Sequence, residues 1–160
     1  LSKMLNSDVN NFILGKSQTL NFIIEPSIPA IIGDERMLRQ SVSNIILNAS
    51  KYSAKGKEIL VRIEVTSPQL ISIKITDQGI GIPAEEIKNL FTPFTRASNV
   101  GTQPGIGLGL SISKDIIELH GGRIDVESTL NVGSVFTITL PITPKVSHKF
   151  NDYSQYKTKP

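Results

Sequence analysis

The residues Gly105-Ile106-Gly107-Leu108-Gly109-Leu110-Ser111-Ile112 point most directly to chemistry, because they read as a glycine-rich loop running into a helix. Glycines let backbone N–H groups approach an anion closely. A helix start adds unsatisfied donors at the positive end of its dipole, so phosphate is the natural ligand. Glycine-rich turns also precede helices for packing reasons alone, and the stretch by itself leaves both readings open. Its pattern does exclude common nucleotide motifs. Leu110 stands where a dinucleotide fingerprint needs its third glycine, no Lys-Ser/Thr follows the last glycine as in a P-loop, and the protein-kinase catalytic-loop and metal-binding triplets are absent.

Two further groups of polar residues could serve the same ligand. Asp77 is followed at once by Gly79 and Gly81, and it shares odd-numbered parity with Ile71, Ile73 and Ile75. A strand over this stretch therefore carries a carboxylate onto its apolar face, at the point where glycines break the chain. Turns also favour Asp and Gly, but inward parity tilts the reading toward a ligand. Asn44 and Asn48 lie one helical turn apart with Lys51 and Tyr52 on the same flank, beside an apolar stripe of Leu38, Val42, Ile45, Ile46 and Ala49. Asparagine is a poor helix former, so two on one flank are unfavourable unless they do something there.

Elements to hold these residues follow from local patterns. Asp34 is placed to cap a helix from Glu35 to about Tyr52. Ser7 or Asp8 opens a short helix to Leu14, and Thr19–Ile24 alternates as a strand. Residues 58–66 and 70–77 form a hairpin around Ser67-Pro68. Pro83, with Glu85 and Glu86 behind it, starts a short helix to Leu90. Residues 97–104 are small and polar, a candidate mobile lid leading to the glycine loop. The helix that follows carries Leu108, Ile112, Ile116 and Leu119 on one stripe and ends at His120-Gly121-Gly122, where His120 reads as structural. Residues 123–128 and 134–140 are closing strands, with Phe136, Ile138, Leu140 and Ser134 on the inward face of the second.

Length and composition narrow the possibilities. The 160 residues, 39% hydrophobic, suit one domain with a real core. There is no cysteine and no apolar run long enough to span a membrane, and the start has no signal-peptide pattern and no methionine. The expectation is a soluble, cytoplasmic piece of a longer protein. The net charge of +3 lies in the last 19 residues, which hold Lys145, Lys149, Lys157 and Lys159 against Asp152 alone. A neutral domain over residues 1–141 with a polar Lys-rich tail or linker over 142–160 argues against nucleic acid as a partner.

Four blocks in this order resemble the nucleotide-binding domain of sensor histidine kinases, within the superfamily shared with DNA gyrase, heat-shock chaperone and mismatch-repair ATPases. Asn44 to Ser53 is similar to the N box, Asp77 to Gly81 to the first glycine box, Phe91 to Arg96 to the F box and Gly105 to Leu110 to the second glycine box; Gly133 to Phe136 resembles the last glycine box. The resemblance runs from about Ile31 to Pro141. It implies an α/β (α+β) two-layer sandwich, with a mixed, mostly antiparallel sheet of about five strands covered on one face by three helices. ATP and Mg²⁺ are the implied ligands. Asp77 would accept from the adenine amine, with Ser134, Gly79, Gly81 and Ile82 around the base and Tyr52 packed near it. Asn48 would ligate Mg²⁺ with support from Asn44, and Lys51 and Arg96 would meet phosphates. Gly105, Gly107, Leu108, Gly109 and Leu110 would cradle the phosphates.

Position 44 separates the branches of this superfamily. Its ATPases carry there a glutamate that serves as general base for water, and an amide cannot take that proton at neutral pH. Asn44 therefore favours the kinase branch, in which a histidine on a partner domain is the nucleophile. The helical hairpin that bears that histidine is missing, since the histidines here are His120 and His148. The implied partners are the dimerisation (phosphoacceptor) domain of the same kinase and, indirectly, a response regulator receiver domain, with the isolated domain monomeric. The implied location is cytoplasmic, including as the cytoplasmic part of a membrane-bound sensor. A non-catalytic nucleotide-binding module and a protein serine kinase of the same superfamily stay open as alternatives.

Overall fold

The computed structural model describes residues 9, 11–101 and 105–143. A single five-stranded sheet runs in the order β1-β2-β3-β5-β4, from β1 (Thr19–Ile24), β2 (Glu58–Ser67), β3 (Leu70–Thr76), β4 (Arg123–Thr129) and β5 (Gly133–Pro141). β1 pairs parallel to β2 and every other pairing is antiparallel, as expected of a mixed, mostly antiparallel sheet. The helices are α1 (Glu35–Tyr52), the short α2 (Ala84–Ile87) and α3 (Gly109–Leu119), with a 3₁₀ turn at Ser98–Val100. Residues 11–15 are also helical, while Ser7 and Asp8, proposed to open that helix, lie outside the described residues.

Parity explains the core. Val61 and Ile63 of β2 stand opposite Ile75 and Ile73 of β3, with Ile59 on the same face of β2, and Ile75, Ile73 and Ile71 in turn face Phe136, Ile138 and Leu140 of β5. All are buried, together with the α1 stripe of Leu38, Val42, Ile45, Ile46 and Ala49 and with Val9 and Ile13 from the N-terminal helical residues. Each fully buried Ile contributes roughly 1.5–3 kcal/mol relative to an exposed one. α1 therefore needs no strong intrinsic propensity. Among the described residues, no helix is long and apolar enough to cross a membrane.

The stripe expected on α3 is corrected by the structure. Ile112 is exposed, whereas Ser111, Ser113, Ile116 and Ile117 are buried. The reason is the α1–α3 contact, built on small polar residues. Ser113 Oγ lies 3.3 Å from the Ser41 carbonyl and 2.9 Å from that of Gly109, and both serines are fully buried. Serines let the two backbones come close, and their hydroxyls are satisfied locally, so hydrophobic periodicity fails to report this face. The short helix after Pro83 is also shorter than expected, ending at Ile87.

The far ends of α1 and α3 are joined by His120. Its Nδ1 sits 2.7 Å from the Ile116 carbonyl, and its Nε2 accepts the Asp34 N–H at 3.0 Å, which puts the ring proton on Nδ1. Asp34 in turn caps α1 through Met37 N at 2.9 Å. His120 is thus structural, as expected, but through a specific tautomer that ties one helix end to the start of another. His120→Ala is expected to lower stability by about 2–4 kcal/mol, from two lost hydrogen bonds and the space left by a buried ring. A shift in the urea midpoint at constant slope checks this.

Candidate functional site

A cleft of about 350 Å³ opens between the last turns of α1, the end of β3 and the start of α3. It brings together Asn48, Lys51, Tyr52, Asp77, Gly81, Ile82, Arg96, Gly105, Gly107, Leu108, Gly109, Leu110 and Ser134, residues that lie far apart in sequence. Two of the expected residues are elsewhere. Gly79 sits behind Asp77, and Asn44 lies in a separate hollow with Arg36, Arg39, Gln40 and Ser43, its Nδ2 3.4 Å from Ser113 Oγ. Sequence reasoning missed the apolar wall, which includes Ala49, Leu90, Val100 and Phe136. Parity flagged Phe136 and the helix stripe flagged Ala49, but only as core.

Asp77 is the buried carboxylate of this cleft, only 7% exposed. It follows directly on β3, and β5 holds it in place through Asp77 N donating to the Ser134 carbonyl at 2.9 Å. Its Oδ1 accepts from Gly79 N at 2.8 Å and from Ser134 N at 3.3 Å. Burial pushes its pKa above the usual carboxylate value, and these two N–H groups pull it part of the way back. Glycine is required at 79 by contact: a Cβ there would stand 2.8 Å from both Asp77 Oδ1 and the Tyr52 carbonyl. Ser53 and Gly79 form an isolated antiparallel bridge, so the end of α1 and the loop after Asp77 are held together.

Ser134 is oriented by a residue that sequence reasoning did not single out. Ser128 Oγ receives Ile82 N–H at 2.9 Å, donates to the Gly133 carbonyl at 3.0 Å, and lies 2.9 Å from Ser134 Oγ. With the Ser128 proton used on Gly133, Ser134 must be the donor between the two hydroxyls. The free lone pairs of Ser134 then make it an acceptor toward the cleft, like Asp77.

The opposite end of the cleft is cationic and rich in N–H donors. Lys51 Nζ lies 4.8 Å from the centre of the Tyr52 ring and packs against Gly105, where a Cβ would come within 2.8 Å of it. Arg96 lines the same wall, with Nη2 3.4 Å from the Gly101 carbonyl. The α3 N-terminus faces this space through Leu108, Gly109 and Leu110, and among the described residues no side chain caps it. Its first-turn N–H groups would suit an anion. Residues 97–101 close one side: Ser98 N donates to Glu86 Oε2 at 2.8 Å and Asn99 Nδ2 to the Gly81 carbonyl at 2.9 Å. The rest of the proposed lid, 102–104, lies outside the described residues.

A cleft lined by the buried acceptors Asp77 and Ser134 and by the cations Lys51 and Arg96 plus helix N–H groups suits a flat polar base carrying a polyphosphate. Comparisons agree with this geometry. The chain is 35% identical to the adaptive-response sensory kinase SasA of Crocosphaera subtropica over 89% of its own length and 37% of that protein's. It is 34% identical to the hybrid signal transduction histidine kinase B of Dictyostelium discoideum, covering 93% of this chain and 8% of that one. The chain therefore spans well under half the length of these curated relatives. Among solved structures, the mycobacterial sensor histidine kinase MprB superposes with a TM-score of 0.79 at 30% identity, covering 89% of this chain and 96% of that one. The catalytic domain of histidine kinase ThkA gives 0.76 at 26% identity, covering 89% and 92%. Residues 33–144 match the family described as histidine kinase-, DNA gyrase B-, and HSP90-like ATPase, and the chain belongs to that family.

Proposed function

We propose that the chain is the ATP-binding catalytic domain of a sensor histidine kinase, which binds Mg-ATP and passes the γ-phosphoryl group to a histidine on a separate dimerisation domain. The observation that carries this reading is the polarity of the cleft: buried Asp77 and acceptor Ser134 at one end, Lys51, Arg96 and the uncapped α3 N-terminus at the other. With Oδ1 of Asp77 taken by two backbone N–H groups, its other oxygen is the acceptor for the adenine amine. Tyr52 packs near the base, and Gly105 to Leu110 cradle the phosphates. The domain corresponds to residues 1–141, followed by a polar tail over 142–160, most of which lies outside the described residues.

The donor set suits Mg²⁺. Asn48 offers an amide oxygen in the cleft, and no cluster of three or more acidic or His/Cys side chains is present among the described residues. An ion that keeps several waters and shares phosphate oxygens needs few protein ligands, and it would offset phosphate charge when bound. The remaining work falls to the chain itself. Lys51, Arg96 and the α3 N–H groups hold the phosphates in line and stabilise charge on the transferring group, while residues 97–101 act as part of a lid that limits water. The nucleophile comes from the partner histidine, and a receiver domain takes the phosphoryl group afterwards.

The test is transfer of label from γ-labelled ATP to an added dimerisation domain. Acid-labile phosphohistidine on that domain is the expected product. Acid-stable phosphoserine, or nucleotide binding with no transfer to any acceptor, would replace this reading with a serine kinase or a regulatory module.

A further inference from the structure

The last turn of α1 carries Lys51 and Tyr52 into the cleft, and its terminal carbonyls must find donors outside the helix. The segment just before β1 supplies most of them. Lys16 Nζ lies 2.8 Å from the Ser50 carbonyl, 2.8 Å from that of Lys51 and 3.1 Å from that of Ser53. Gln18 Nε2 lies 3.0 Å from Ser50 O, 3.2 Å from Ser53 O and 3.0 Å from Ala54 O, and Gln18 Oε1 accepts from the Ser50 hydroxyl. The Tyr52 carbonyl instead takes Ile80 N at 3.2 Å, and the Ala49 carbonyl takes Ser53 N at 3.1 Å. Every carbonyl from Ala49 to Ser53 is thereby accounted for, those of Ser50, Lys51 and Ser53 by this segment and that of Tyr52 by the loop behind Asp77.

The clamp is built to stay in place. Ser17, between the two donors, has a positive φ of 50°, a conformation that puts Lys16 and Gln18 on the same helix end. Lys16 N and Gln18 N both reach the Ile13 carbonyl, Ile13 is in the core, and Gly56 N donates to the Lys16 carbonyl. A lysine ammonium at a helix C-terminus also meets the negative end of the dipole. Gln18 is buried and Lys16 partly buried, and desolvation lowers the pKa of Lys16.

We propose that Lys16 and Gln18 are positioning residues for the nucleotide: by fixing the last turn of α1 they set Lys51, Tyr52 and the Gly79-Ile80 loop around the cleft, so that ATP affinity depends on how residues 13–18 dock. This rests on the reading of the cleft as a Mg-ATP site. Any displacement of the segment before β1 releases the end of α1 and weakens nucleotide binding without touching a residue that contacts it. The segment thus gives the domain a regulatory input outside the cleft.

Calorimetric titration with Mg-ATP separates this from a purely structural role, at a temperature where melting curves show each variant folded. Lys16→Met is expected to weaken ATP on the order of tenfold, since small misplacements of binding groups are costly. Lys16→Arg, which keeps a charged donor, is expected to restore affinity. The control is His120→Ala, which loses stability at the opposite end of α1 and should keep its affinity. If Lys16→Met does not fold, Lys16→Gln takes its place, with a side chain too short to reach three carbonyls. Wild-type affinity in a folded Lys16→Met or Lys16→Gln chain overturns the proposal, as does an equal loss in His120→Ala. Failure of the unaltered chain to bind Mg-ATP would instead overturn the reading of the cleft.

Discussion

Asp77→Asn is expected to weaken ATP binding by about 1.5–3 kcal/mol, the scale for a hydrogen bond to a charged group, or roughly 10–150-fold. The amide keeps an oxygen for Gly79 N and Ser134 N, but its NH₂ would meet the adenine amine donor to donor. Stability should move the other way. Burial raises the folded-state pKa of Asp77, so the folded chain holds the proton more tightly than the unfolded chain does. Its contribution is therefore full below the ordinary carboxyl value of about 3.9, falls as pH rises from there through the raised folded value, and is a standing cost above it. Asp77→Asn removes that cost and that pH dependence. Denaturant midpoints across this window, paired with calorimetry, should show a variant that is at least as stable at neutral pH and poorer at binding. Unchanged ATP affinity would remove Asp77 from the site, and a less stable variant at neutral pH would mean the backbone N–H groups outweigh desolvation.

The second large effect concerns water. Asn44 offers no carboxylate, and the structure places it against Ser113 in a hollow beside the cleft. Among the described residues lining the cleft, Asp77 is the one carboxylate, and it sits between Gly79 and Ser134 at the buried end, held by their N–H groups. General-base catalysis contributes about 10²–10⁴-fold, and the chain alone forgoes it toward water. Phosphate release from ATP should therefore be very slow, although under the proposed function the same cleft would support transfer to a docked histidine. Steady-state release assays check this. Robust turnover that is abolished by Asn48→Ala would assign the chain to the ATPase side of its family.

Local rules made α1 and the acceptor end of the cleft readable from sequence. Asp34 capped the helix where expected, the stripe from Leu38 to Ala49 was buried, and the parity of Asp77 with Ile71, Ile73 and Ile75 carried it inward. The glycine loop was readable because glycines followed by a helix start have a local mechanism. Other features had no local signal. The Ser41–Ser113 contact joins residues 72 positions apart through hydroxyls, so an apolar stripe through Ile112 was the wrong guide. Lys16 and Gln18 reach carbonyls more than 30 residues away, and nothing in the sequence around Lys16 marks it as a cap for a helix it does not adjoin. Ser128 orients Ser134 from the neighbouring strand, a relation visible only once β4 and β5 are in register. Asn44 shared a helix flank with Asn48, but its amide meets Ser113 of α3 and it lines a different hollow.

The measurement closest to the central claim is an amide-resolved NMR titration of the chain with Mg-ATP. Saturable binding below about 1 mM is expected. The largest shifts should fall at Lys51, Tyr52, Asp77, Gly81, Gly107, Gly109 and Ser134, with β1 and the outer half of β4 unmoved. No saturable binding in that range, or shifts confined to residues outside the cleft, would contradict it.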